Sequence, residues 1–124
     1  MTDAASIREA MTRYVQCLCD SDVDGIMDLF GEDPTVEDPV GQPEVVGAEA
    51  VRAFYASAIP ALRVELTGPI RVAGNECAMP MLAQIDSGQG TLYIDVIDVM
   101  RFDERGKVVS MRAFWNPDEM RPSR

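Results

Sequence analysis

The spacing of apolar and polar residues divides the chain into a helical first half and a stranded second half. Over residues 6–20 the positions Ile7, Ala10, Met11, Tyr14, Val15 and Leu18 recur every three or four residues, which predicts a helix with one buried stripe. The segment SDVDGIMDLF predicts a second, short helix capped by Ser21 or Asp22. TVEDPVGQP reads as a short extended piece running into a turn. GAEAVRAFYASAI reads as a third helix, with its stripe on Val51, Phe54, Tyr55 and Ala58.

Beyond Pro60 the period shortens to two. Strands are expected over residues 62–67, 69–73, 76–86, 91–103 and 107–116. Turn signals separate them at Thr67-Gly68-Pro69, Gly74-Asn75, Ser87-Gly88 and Arg105-Gly106. No repeat, low-complexity tract or linker interrupts the chain, so residues 1–124 read as a single domain. Helices followed by strands give an α+β class, with three N-terminal helices packed on a curved antiparallel sheet around a conical interior.

The strand TLYIDVIDVMRF carries the first chemical clue. Residues 92, 94, 96, 98, 100 and 102 share one face, and all are apolar except Asp98. An ionised carboxylate in an apolar wall is expensive, so this group is expected to raise its pKa and stay protonated, which makes it a hydrogen-bond donor. Asp95 has the opposite parity and is expected to be an ordinary ionised surface residue. Arg101 also faces away from Asp98 and is a poor partner for it.

Composition narrows the chemistry further. The chain holds 21 acidic and 11 basic residues, a formal net charge of −10, and no histidine. The negative charge argues against nucleic acid and an anionic membrane surface as partners and favours a neutral substrate. Without histidine, Ser-His-Asp and Cys-His machinery are excluded. Proton transfer near neutral pH then falls to carboxyl groups, tyrosine, lysine or cysteine. Cys17, Cys19 and Cys77 cannot all pair within the chain and read as small apolar residues of a reducing compartment. A polar N-terminal stretch and the lack of a transmembrane-length apolar run point to a cytoplasmic protein.

Asp38 stands in VEDPV. Asp-Pro commonly starts a surface turn, but Pro39 favours an extended Asp38, and Val36 and Val40 share its parity. That setting also suits a partly desolvated general base. Tyr14 lies within the stripe of the first helix and Tyr55 within that of the third, where each serves as a core aromatic or as a donor. Tyr93, on outward parity, is assigned to the surface. Two inward aspartates and a tyrosine can divide labour: one aspartate abstracts a proton, while the tyrosine and the protonated aspartate donate to an oxygen that becomes negative. Such a set enolises a carbonyl compound.

RYVQCLCDSDVDGIMDLFGEDPTVEDPVG, FYA and DVIDVMRFDERGKVVSMRAFW, in that order, resemble the bacterial ketosteroid isomerases of the nuclear transport factor 2-like superfamily, from about Ile7 to Trp115. An ionised aspartate working beside a protonated one is a known feature of that family, so the roles below rest on the resemblance, whereas the parity of Asp98 does not. The resemblance implies a homodimer of cone-shaped subunits acting on a small apolar steroid-like ketone, without cofactor or metal. It implies Asp38 as the base moving a proton from steroid carbon 4 to carbon 6. Tyr14 and Asp98 would donate to the dienolate oxygen, and Tyr55 would hydrogen-bond to Tyr14. Phe30 stands where some members carry a further tyrosine, which implies the shorter hydrogen-bond network. By parity the pocket wall is expected to comprise Val36, Phe54, Met79, Met81, Val96, Met100, Met111 and Trp115.

Three other readings use the same cone. A polyketide cyclase would also use an acid and an enolate. An epoxide hydrolase would want an inward arginine, which the parity of Arg112 disfavours. A non-catalytic apolar-ligand module would have no need of the three polar groups.

Overall fold

The computed structural model describes residues 2–124. Helix α1 spans Ala4–Cys19, its first turn capped by Asp3, which accepts from the Ser6 amide at 2.8 Å. Ile7, Met11, Tyr14, Cys17 and Leu18 are its buried stripe. Helix α2, Val23–Leu29, is capped by Asp22 rather than Ser21, with the Gly25 amide donating at 2.9 Å. Gly25 is required by space: a Cβ there would sit 2.7 Å from Cys17 Sγ and closer still to the Asp22 carboxylate. The α1–α2 corner is therefore tight.

Strand β1 covers Phe30–Glu37, β2 Val45–Val46, and helix α3 Ala48–Ala58. A 3-10 turn over Ile59–Ala61 leads into β3, Leu62–Leu66. Then come β4, Arg71–Ala73; β5, Glu76–Asp86; β6, Thr91–Phe102; and β7, Val108–Phe114. The sheet order is β2-β1-β7-β6-β5-β3, with β4 also on β5. All the pairings are antiparallel except β1 with β7, which run parallel. The expected antiparallel sheet is thus a mixed one. A parallel neighbour can only be reached by a long crossover, here the rest of the chain, so local turn signals carry no trace of it.

The long β5–β6 hairpin, from Glu76 opposite Arg101 to Asp86 opposite Thr91, forms the middle of the sheet. Its inner face carries Cys77, Met79, Met81, Ala83, Ile94, Val96, Asp98, Met100 and Phe102, all buried. Helix α1 packs beside β3 and β4 and helix α3 beside β1 and β2, and their buried residues join this face in one core, which gives the nuclear transport factor 2-like cone. Its outer face leaves Ile97 and Phe114, cross-strand partners, 47% and 42% exposed. Among the described residues no helix is long and apolar enough to cross a membrane.

Candidate active site

A cavity of about 390 Å³ opens between the helices and the inner face of the sheet, within the usual range for small-molecule sites. Tyr14 and Leu18 come from α1, Phe54 and Tyr55 from α3, and Met81, Val96 and Asp98 from the hairpin. Asp38 follows β1 and Trp115 follows β7. Among the described residues, the lining contains two aspartates and no lysine or arginine.

The backbone turns Asp38 inward by simple alternation. Val36 is buried in the core, and Glu37 points out to Arg112 at 3.1 Å while also accepting from the Gly41 amide. Asp38 is next inward, joined to Pro39 by a cis peptide bond. Trp115 Nε1 donates to Asp38 Oδ1 at 2.6 Å. Burial pushes the Asp38 carboxyl above its ordinary value, and the indole N–H partly draws it back down. One carboxylate oxygen is held by the indole, which leaves the other for chemistry in the cavity.

Asp98 lies between Met79 on β5 and Ala113 on β7, and only 4% of it is exposed. Its carboxyl has no hydrogen-bond partner among the described residues, and no side-chain polar atom is sealed away unpaired. Its bonding capacity is therefore turned to the cavity it lines. Burial, reinforced by the negative field of Asp38, pushes its pKa up to about 8. The two carboxyls are thus driven apart. Asp38 has the indole donor and ionises first, and Asp98 keeps its proton through neutral pH.

Tyr14 and Tyr55 share a hydrogen bond of 2.8 Å between their hydroxyls. Burial holds both phenols well above their ordinary range, so both are neutral donors. If Tyr55 gives its proton to Tyr14, the Tyr14 proton is free for a ligand oxygen. Phe30 and Phe54 pack edge-on against Tyr55, at 5.8 and 5.2 Å between ring centres, and fix its ring. Phe30 has no hydroxyl, so the chain of phenols ends at Tyr55.

Of the wall residues expected from parity, Phe54, Met81, Val96 and Trp115 line the cavity. Val36, Met79, Met100 and Met111 do not; they are 0–2% exposed and packed in the core. Parity fixes the side of the sheet a residue faces, but not its distance along the cone. Met79 opposite Asp98 marks the boundary: rungs toward Cys77–Met100 are sealed, and rungs toward Met81–Val96 and Ala83–Ile94 are open. Ala83, Ile85 and Ile94, which also line the cavity, share that parity and were accessible to the same reading. Ser57 and Ala61 gave no signal, because their place depends on how α3 and the 3-10 turn meet the rim. Trp115 has a second part that parity missed, as hydrogen-bond donor to Asp38. Arg112 lies outside the cavity, paired with Glu37. Tyr93 is half-buried rather than fully surface, and its backbone pairs with Arg121. Cys17 and Cys77 are buried, whereas Cys19 is exposed, and all three are free thiols.

Residues 11–111 match the SnoaL-like domain. The chain belongs to the SnoaL-like family. It is 36% identical over 118 residues to a steroid Delta-isomerase of Nocardioides simplex, covering 94% of this chain and 95% of that one. It is also similar to a solved structure of SalBIII, an epoxide hydrolase/cyclase-like enzyme of pyran ring formation in polyether salinomycin. That match has a TM-score of 0.91 at 28% identity, over 99% of this chain and all of the other. The proteins this chain is similar to therefore carry more than one chemistry.

Proposed function

We propose that this protein is a steroid Delta-isomerase, moving the double bond of a 5-ene-3-oxosteroid into conjugation by intramolecular proton transfer. The observation that carries the reading is the pairing, in one apolar cavity, of an ionisable aspartate with two neutral acids. Asp38 takes the proton from carbon 4. The electron pair left behind delocalises into the carbonyl, giving a dienolate whose oxygen accepts hydrogen bonds from Tyr14 and the protonated Asp98. Asp38 then returns the proton to carbon 6, which leaves a 4-ene-3-oxosteroid with atoms and charge balanced. The donors gain strength as the oxygen becomes negative, so they stabilise the transition state more than the ground state.

The 36% identity to a steroid Delta-isomerase supports this substrate class. The likeness to SalBIII raises epoxide opening as the second reading. Activating an epoxide by an inward arginine finds no support in this cavity, whose wall among the described residues holds no lysine or arginine, and Arg112 on β7 is paired with Glu37. A homodimer would form through the outer face of the sheet, where Ile97 and Phe114 are exposed beside one another.

The test is a spectrophotometric assay with 5-androstene-3,17-dione, following the conjugated enone. Turnover far above the non-enzymatic rate is expected. A rate equal to buffer alone would sink the isomerase reading in favour of a cyclase.

A further inference from the structure

Strand β6 outruns its neighbour β7. The last rung between them is Ile97–Phe114, yet β6 begins at Thr91, and its inner residues Ile94 and Val96 line the cavity beyond that rung. The segment after β7 fills the missing edge. Trp115 leaves the strand, Asn116 caps a 3-10 turn over Pro117–Glu119 by accepting from the Asp118 amide at 2.9 Å, and the chain returns to β6 at Arg121. There the Tyr93 amide donates to the Arg121 carbonyl at 2.7 Å, and the Arg121 amide donates to the Tyr93 carbonyl at 3.1 Å. The Arg121 guanidinium grips the Asp95 carboxylate through Nη1 at 2.6 Å and Nη2 at 3.3 Å. Residues 115–121 thus form a strap fixed at both ends, and Trp115, at its β7 end, holds Asp38.

We propose that Asp95 and Arg121 are a latch for this strap and act as positioning residues for the indole that holds Asp38. The idea rests on the isomerase reading only for its kinetic consequence. Neither residue touches the cavity. Each works through the strap, by fixing how firmly the Trp115 N–H is presented. An exposed ion pair contributes modestly, so its loss loosens the strap by a few-fold in population and does not release it; the backbone bonds to Tyr93 persist.

Trp115 is the sole tryptophan, so its emission reports on the strap without any substrate. In Arg121→Ala and Asp95→Asn the emission is expected to shift several nanometres to the red and acrylamide quenching to rise. The charge swap Asp95→Arg with Arg121→Asp is expected to recover most of both. Groups facing Asp38 are Tyr14 from α1, Tyr55 from α3, Asp98 from β6 and the indole itself, while Glu37 is turned away to Arg112. Of these, the latch alters the indole alone. The acid limb of kcat/KM is therefore expected to move to higher pH by a few tenths of a unit in the single variants and to return in the swap. In wild type, 1 M NaCl should move the emission toward that of Arg121→Ala, a result available even if a variant folds poorly.

Wild-type emission and quenching in both single variants would overturn the latch, as would a swap that folds normally but recovers neither signal. The two readings fail separately. An emission shift in a protein with no isomerase turnover keeps the latch and discards the reaction. Normal turnover with an unmoved indole does the reverse.

Discussion

The two ends of the cone are built from the same residue types on the same faces of the same strands, and they do different things. At the closed end Met79, Met100, Met111 and Val36 interlock with Phe102, Ile7 and Met11, and water has no access. Two rungs further along, Met81 and Val96 present the same kind of apolar surface to an open cavity. Asp98 sits at the junction. The closed end behind it supplies the burial that raises its pKa, and the open end in front gives its proton somewhere to go. The sealed half is thus part of the chemistry although nothing binds there.

The contrast breaks most visibly at Asp38. Asp38→Asn keeps the shape and the indole contact but removes the base, and is expected to lower kcat by about 10²–10⁴-fold, the usual worth of a positioned base. A phenol that mimics the dienolate should still bind, by fluorescence titration of Trp115. Wild-type turnover in this variant would mean that another group moves the proton.

Tyr14→Phe and Asp98→Leu each remove one donor to the oxygen and are each expected to cost about 10²–10³-fold in kcat, with KM changed far less. Tyr55→Phe, one bond further back, should cost less than either. If Tyr55→Phe were as damaging as Tyr14→Phe, Tyr55 would be touching the substrate itself. The split between kcat and KM in steady-state kinetics is the discriminating measurement.

Helices α1 and α3 and strand β6 were legible because their apolar positions keep a steady spacing, whereas β1, which begins at Phe30, was expected only as a short extended piece from Thr35. The expected strands at 76–86 and 91–103 lie within a residue of β5 and β6; β5, in which Met81, Leu82 and Ala83 are buried in succession, is bounded by the turn signals at Gly74-Asn75 and Ser87-Gly88, while β6 alternates over most of its length. Asp98 was legible for the same reason, as the one polar member of an apolar face. The parallel β1–β7 pairing and two-residue β2 were not, because neither leaves a periodic mark. The roles of Asp38 and Tyr14 came from likeness to a family. Their own surroundings suit a turn or a core aromatic equally well, until the fold places them in one cavity. Trp115 shows the limit of parity from the other side: its inward position was readable, but its bond to Asp38 joins residues 77 apart in the chain.

Methionine truncations test whether the boundary lies at the Met79–Asp98 rung. Met100→Ala empties part of a sealed core and is expected to cost about 2–5 kcal/mol in denaturant unfolding while leaving KM near wild type. Met81→Ala enlarges a space that is already open. It should cost less in stability and raise KM for the steroid several-fold. The reverse pattern would place the cavity further down the cone than the structure does.

The smallest step concerns what the sealed end does to Asp98 when nothing is bound. An acid whose pKa is raised by folding, here to about 8, holds its proton in the native state at pH values where the unfolded chain has lost it. Between the unfolded carboxyl value near 4 and about 8, the native state binds more protons, so this group's contribution is fully present below that window and declines as pH rises through it. The slope approaches about 1.4 kcal/mol per pH unit inside the window and vanishes above it. Asp38 is raised too and has the same sign, but it is unchanged between wild type and an Asp98→Asn variant. In the difference between the two, its own contribution largely cancels. Urea unfolding of both proteins at pH 5, 6, 7 and 8 should therefore show Asp98→Asn gaining on wild type at each step, while its turnover is already reduced. A gap that stays constant with pH would mean that Asp98 is ionised in the folded protein. The apolar wall would then stabilise no neutral donor, and the distinction between the two aspartates would collapse.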